Sequence, residues 1–339
     1  MTRKLRTSIF AAFGLLMLIL DTKTALLGAS EGLELCIRTV IPSLLPFFVL
    51  SILLTSALTG ESIPLLRPLG RLCGVPRGSE SLLLVGMLGG YPAGAQCVAQ
   101  SCRDGTLRKF DAQRMIAFCN LAGPSFLFGI VAGSFPNPYA PWALWGIHIA
   151  SAILVAIVLP GRSGDAAVLH PGTPITLSAA LQQSLRIMAS VCGWIVSFRV
   201  ILSFLDRWIL WLLPTPAQVA ITGILELSNG CCELSRISGD GLRFIISAGL
   251  LAFGGLCVLM QTASVTDGLP LKKYFWGKLL QVLFSVVLAA VMQFALFPQA
   301  ERMRLPVILW PAILAAILVI PKFLRKNQKR SSISLPVGV

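Results

Sequence analysis

Charge is what this sequence has least of. Only 12% of its 339 residues are Asp, Glu, Lys or Arg, about half the ~25% found in a soluble globular chain. So few charges do not clothe a water-facing surface. With 55% apolar residues and a mean hydropathy of +0.81, the chain reads as a polytopic membrane protein. Acidic residues are scarcest, 14 against 28 basic ones, and no run of carboxylates offers the several oxygen ligands of a divalent-cation path. Histidine occurs twice, and the nine cysteines never fall into a CxxC or Cys/His spacing. Cys231 and Cys232 are adjacent, while Cys97 and Cys102 are five apart. A structural metal site is therefore not expected, nor is a cofactor, and the cysteines read as small apolar packers. The visible pairing for nucleophile–base chemistry is Cys119 or Cys231 with His148; an enzyme is not expected.

The basic residues carry a different message. They give a net charge of +14, yet they sit at the ends of apolar runs instead of forming one stripe. That distribution argues against nucleic acid as a partner and matches the positive-inside pattern. Arg3, Lys4 and Arg6 place the N-terminus in the cytoplasm, and residues 8–20 cross outward. No small-residue cleavage site follows, so this segment is expected to remain as an uncleaved first span. Residues 21–38 are expected as a mixed-charge external segment with an amphipathic helical character. Residues 40–58 return inward, kinked at Pro42 and Pro46, to Arg67, Arg71 and Arg77.

The next apolar piece, residues 81–101, is interrupted by Gly86-Met87-Leu88-Gly89-Gly90-Tyr91-Pro92-Ala93-Gly94. It has basic residues on both sides, with Arg103, Arg108, Lys109 and Arg114 following. A hairpin that enters and leaves on the cytoplasmic side satisfies both facts, because irregular backbone at membrane depth needs protein or a wet cavity around it. Residues 115–134 cross outward with a break at Cys119-Asn120-Leu121-Ala122-Gly123-Pro124-Ser125, and residues 142–160 return. His148 within that span is read as hydrogen-bonded structure. A polar linker, residues 161–174, precedes a second series. Residues 184–205 form a span, residues 217–234 a hairpin, residues 244–263 a span broken at Gly254-Gly255, and residues 274–297 and 306–320 two more spans. A basic tail follows, with Lys322, Arg325, Lys326, Lys329 and Arg330.

The two series match in order. Leu84-Val85-Gly86-Met87-Leu88 resembles Ile221-Thr222-Gly223-Ile224-Leu225. Arg114-Met115-Ile116 leads to Gly123-Pro124 as Arg243-Phe244-Ile245 leads to Gly254-Gly255, and Leu144-Trp145-Gly146 answers Phe275-Trp276-Gly277. An odd number of crossings per unit inverts the second unit. The expected fold is an all-α polytopic membrane protein with about eight transmembrane helices plus two re-entrant helical hairpins in an inverted internal repeat, an arrangement used by secondary transporters. Its parts are an N-terminal transmembrane helix (residues 1–30), a first repeat (31–160), a cytoplasmic linker (161–175), a second repeat (176–298), and a C-terminal transmembrane helix with the basic tail (299–339). Both termini are expected in the cytoplasm.

The breaks concentrate the polar groups. Glu226, Ser228 and Asn229 in the second hairpin face Tyr91, Gln96, Asn120 and Ser125 from the first repeat as candidate solute-binding residues, with Gln261 after the Gly254-Gly255 break. Gly90, Pro92, Gly123, Pro124, Gly230 and Gly254 are the candidate backbone breaks. A carboxylate in apolar sequence costs a few kcal/mol to insert and ordinarily lines a pathway. One carboxylate among amides and hydroxyls suits a neutral or weakly charged organic solute, and the cluster of Arg and Lys needed for phosphate is missing. Glu226 is open to solute hydroxyls, to a co-transported Na+ or to a proton. The partners expected are the lipid bilayer and a small polar solute, with self-association left open.

The motifs Gly89-Gly90-Tyr91-Pro92-Ala93-Gly94-Ala95, Cys119-Asn120-Leu121-Ala122-Gly123-Pro124 and Glu226-Leu227-Ser228-Asn229-Gly230, preceded by Ile41-Pro42-Ser43-Leu44-Leu45-Pro46-Phe47-Phe48, resemble those of the YlbJ-like sporulation integral membrane proteins. The resemblance covers roughly residues 30–300. It implies a core of the nucleoside-recognition or gate type, distantly like concentrative nucleoside transporters, and a role in spore cortex formation. Departures from the family pattern are Gly89 where Ser is usual, Gln96 where Lys is usual, and Ser228 in place of Thr. Two functions follow from different classes: a transporter-like protein for a small polar solute, or a non-transporting membrane scaffold required for sporulation.

Overall fold

The computed structural model describes residues 3–58, 63–159, 175–266 and 268–298. In chain order the helices are α1 (Arg3–Leu20), α2 (Thr22–Leu35), α3 (Ile41–Leu58), α4 (Arg67–Leu72), α5 (Ser81–Leu88), α6 (Ala93–Arg103), α7 (Lys109–Cys119), α8 (Pro124–Phe126), α9 (Ala140–Val158), α10 (Leu177–Trp208), α11 (Thr215–Leu225), α12 (Leu227–Cys232), α13 (Asp240–Phe253), α14 (Gly255–Val265) and α15 (Lys272–Leu296). No strand occurs among the described residues. Among the described residues, six helical stretches are long and apolar enough to cross a membrane: Thr22–Leu58, Lys109–Ser134, Ala140–Val158, Leu177–Trp208, Asp240–Val265 and Lys272–Leu296. Of the eight crossings expected from sequence, these account for six. Residues 8–20 fall in α1, a largely exposed helix that carries Arg3, Lys4 and Arg6 and is not among the six. Residues 306–320 and the linker 161–174 lie outside the described residues.

Residues 21–38 do not form a separate segment. Helix α2 runs through a π-helical turn, Cys36–Val40, straight into α3. The wide turn ends just before Pro42, where the helix loses an N–H donor, and such irregular turns commonly accompany proline. The combined 37 residues pack antiparallel along α10. Gly28 and Gly32, one turn apart, make the contact: a Cβ at Gly28 would lie 3.0 Å from Val200 Cα, and one at Gly32 would lie 2.9 Å from Val196 Cα. Small residues four apart let helix backbones approach closely in a membrane. The far end of this pair is charged, with Arg199 bonded to Glu31 and, at 3.0 Å, to Asp206, and Arg207 lying 3.3 Å from Asp21. At 1.5 Å per residue, the 32 residues of α10 reach about 48 Å, well beyond the ~30 Å hydrocarbon core.

Both halves then fold by the same local means. Helices α5 and α6 turn back on each other at Gly89–Pro92, where Gly90 has φ +79° and the Tyr91–Pro92 peptide is cis. A Cβ at Gly94 would meet Gly86 Cα at 3.1 Å and clash with the carbonyl of Cys119, so the hairpin closes only with glycine there. Helices α11 and α12 do the same with Gly230 against Gly223. A broken helix follows each hairpin: α7 stops at Cys119 and the chain resumes at Pro124, while α13 stops at the left-handed Gly254 and α14 starts at once.

Two sequence expectations need correction. Gly230 is not where the chain breaks; it sits inside α12, and the extended residue is Glu226 (φ −139°, ψ 113°). Its carboxylate caps the next helix, so the break needs no glycine. Arg114 is no loop charge either. It is 2% exposed on α7, and its guanidinium donates to the carbonyls of Cys73, Gly74, Ala156 and Leu159. That clamp ties the loop after α4 and the C-terminal end of α9 to α7, satisfying helix-end carbonyls that have no partner of their own.

Candidate functional site

Glu226 is 1% exposed. Helix α11 ends as its N–H donates to Thr222 O at 2.7 Å, and the chain extends for one residue. The carboxylate then accepts from Ser228 N at 3.1 Å and from Asn229 N and Nδ2, both at 2.7 Å. The first N–H groups of α12 have no intrahelical acceptors, and a carboxylate is a favourable cap for them. Glu226-x-x-Asn229 is therefore a self-contained turn at the head of a six-residue helix.

Behind the first hairpin lies a polar network that the sequence reading missed. Lys278 of α15 is 1% exposed. Its Nζ donates to Tyr91 Oη at 2.9 Å, Asn120 O at 2.6 Å and Gln281 Oε1 at 2.8 Å, matching the three donors of an ammonium group. The Nζ also lies 4.8 Å from the centre of the Tyr91 ring, within cation–π range. Tyr91 donates onward to Leu251 O at 3.1 Å. The Asn120 side chain donates to Thr262 Oγ1 at 2.9 Å and Tyr274 Oη at 3.2 Å. His148 Nε2 accepts the N–H of Ala122 at 2.9 Å, which supplies a partner to the broken end between α7 and α8. Tyr91 belongs to one buried apolar cluster and Tyr274 to the other, so Lys278 sits at their junction.

Two cavities adjoin these groups. A central one of about 30 Å³ is lined by Tyr91, Gly123, Glu226, Ser228 and Gln261, with Leu44, Val191 and other apolar residues. It has room for about one water molecule, so the centre is closed to an organic solute in this conformation. The second, of about 810 Å³, lies between α3, α6, α10 and α14 and includes Gln96 on its wall. Helices α3, α10 and α14 line both, with Ile52, Ser190 and Ser264 in the large cavity and Leu44, Val191 and Gln261 in the small one.

The candidate residues thus divide. Glu226, Ser228 and Tyr91 meet at one cavity, together with Gly123 and the neighbouring Gln261. Asn229 is held by Glu226, and Asn120 lies on the other side of Tyr91 in the Lys278 network. Gln96 and Ser125 do not reach Glu226; Gln96 Oε1 and Ser125 Oγ are shielded and without hydrogen-bond partners. Gly90, Pro92, Pro124 and Gly254 stand at helix ends. Among the described residues no group of three or more His, Cys, Asp or Glu comes together. Lys278 carried a usable signal, being a lysine inside an apolar run, where ionisable residues face the interior.

No family model and no solved structure matches the chain. Among curated proteins, it is 27% identical over 338 residues to the sporulation integral membrane protein YlbJ of Bacillus subtilis (strain 168), with 84% of this chain and 82% of the relative covered. That relative is an integral membrane protein, and the six apolar helices fit the same multi-pass class. The similarity along most of both chains supports membership of this protein in the YlbJ-like family of sporulation integral membrane proteins.

Proposed function

We propose that the protein is an integral membrane transporter-like protein that moves a small polar organic solute through a gate-type core and serves spore cortex formation. One observation carries this: elements from three separate chain breaks line the same buried cavity. Tyr91 comes from the α5–α6 turn, Gly123 from the α7–α8 break, and Glu226 with Ser228 from the α11–α12 break. Broken helices that expose polar groups around a central cavity are the recurrent binding architecture of secondary transporters. The parallel order of hairpin and broken helix in each half supports an inverted repeat with about eight crossings, two re-entrant hairpins and both termini cytoplasmic. The large cavity is then the open side of an alternating-access cycle and the small cavity its closed centre. Glu226 with Asn229 and Ser228 forms one half of the solute site, Tyr91 and Asn120 the other, and Na+ or H+ is the coupling ion. The protein performs no covalent chemistry on its solute.

A thermal-shift panel on the purified protein tests the site, using nucleosides, amino acids, sugars and sugar acids, with and without Na+. A solute that stabilises wild type and not Glu226→Gln is expected. No stabilisation across the panel, with normal cortex in a Glu226→Gln strain, would overturn the proposal. That pair of results is what the second function, a non-transporting scaffold, requires. The observation in the scaffold's favour is that both Glu226 oxygens are already engaged within their own turn.

A further inference from the structure

We propose that the 810 Å³ cavity is a binding vestibule for a small hydroxylated carboxylate, held by Arg186 and facing glutamines before it passes to the centre. The last step rests on the transport reading; the binding site itself does not. Two polar stripes at helical spacing face each other across the cavity. Gln182, Gln183, Arg186 and Ser190 project from α10, and Gln96 and Gln100 from α6. The volume lies in the range of small-molecule sites, about 300–1,000 Å³.

The charges decide the class of ligand. Arg103 and Asp104 at the rim cancel, linked through Gln100: Arg103 Nη2 donates to Gln100 Oε1 at 2.8 Å, and Gln100 Nε2 donates to Asp104 Oδ1 at 2.7 Å. Arg186 lines the cavity and has no hydrogen-bond or ion-pair partner among the described residues. One uncommitted guanidinium matches one carboxylate, whereas phosphate sites gather several cations. Gln96 Oε1 is shielded from solvent and has no hydrogen-bond partner among the described residues. Gln182 and Gln183, beside Arg186 on the same wall, offer amide donors and acceptors to ligand hydroxyls. Among the described residues no aromatic side chain lines the cavity, and none offers a face on which a nucleobase would stack. An acidic sugar fits better than a nucleoside.

Cys97 lines the cavity wall, 6% exposed and with Thr55 Oγ1 donating to its Sγ, and its labelling reads access from the cavity. The full-length chain with Cys97 as its only cysteine is reacted with anionic sulfonatoethyl and cationic trimethylammonioethyl methanethiosulfonate, with gluconate, glucose or uridine present. The anionic reagent is expected to react several-fold faster. Arg186→Gln should bring the two rates together. Gluconate should slow labelling where equal glucose or uridine does not, and this protection should vanish in Arg186→Gln. If the other cysteine replacements unfold the protein, peptide-mapped labelling of wild type reads the same thiol. An unreactive Cys97, a rate ratio indifferent to Arg186, or glucose protecting as well as gluconate overturns the vestibule. Protection by gluconate in a protein that moves no solute in vesicles keeps the vestibule and removes the transport reading. Movement of another solute without gluconate protection does the opposite.

Discussion

Lys278 and Arg114 look alike in the sequence and are used alike in the fold. Each lies close to the start of an apolar helix beside other basic residues, where positive-inside topology already accounts for a cation. Both are buried, and each spends its donors on backbone or neutral side-chain oxygens instead of a carboxylate. What separates such a residue from a flanking charge is which side of its helix faces inward. Charge patterning does not carry that information for Arg114, whereas Lys278, set within the apolar run of α15, offered a hint of it. Replacing Lys278 with Met strands the Asn120 carbonyl and Gln281 Oε1 and leaves the Tyr91 hydroxyl with only its bond to Leu251 O. The expected loss is about 1–3 kcal/mol, read as a lowered midpoint of thermal unfolding in detergent; an unchanged midpoint contradicts the network. Glu226 separates into two roles by substitution. Glu226→Ala removes the cap of α12 and should cost roughly 1–2 kcal/mol. Glu226→Gln keeps an acceptor for Asn229 but sets an amide NH2 against Ser228 N–H, so it should lower the midpoint less than Glu226→Ala while losing solute stabilisation.

At the scale of elements, the hairpins depend on glycine against glycine. Gly230 on Gly223 leaves no space for a side chain, and a Gly230→Val substitution should force α11 and α12 apart. Misfolding or roughly 1–3 kcal/mol of destabilisation is expected, measured by unfolding and by the yield of monodisperse protein. Gly28→Leu should likewise separate α2 from α10 and expose that seam to proteolysis. The breaks themselves were legible, because Gly89-Gly90-Tyr91-Pro92 and Asn120 to Pro124 combine residues that end helices for independent reasons. The break at Glu226 was legible in place but not in cause. Gly230 looked like the breaker, whereas the chain extends at the glutamate because its carboxylate supplies the missing acceptor. The α2–α3 continuity was hidden by the charges Glu31, Glu34 and Arg38. They read as a separate external amphipathic segment, yet they belong to one long helix that packs along α10.

At the scale of the whole molecule, topology and transport are tested separately. Reporter fusions at either terminus should be active only with a cytoplasmic reporter, as the basic residues at both ends require; a terminus reporting from outside would remove the inverted-repeat count. Overall class and five of the six long helical stretches could be anticipated because they follow from hydropathy, while Thr22–Leu58 was expected only over residues 40–58. The two cavities could not, since they depend on how α3, α10 and α14 lie against the hairpins. The central claim is that a solute passes through those cavities. Its most direct test is exchange of a labelled solute, chosen as the strongest stabiliser in the binding panel, across vesicles containing the purified protein. Wild type should exchange label well above protein-free vesicles, and Glu226→Gln, equally incorporated, should fall to background. Exchange at background in wild type, with the solute still bound, would contradict transport and leave a membrane scaffold with a ligand.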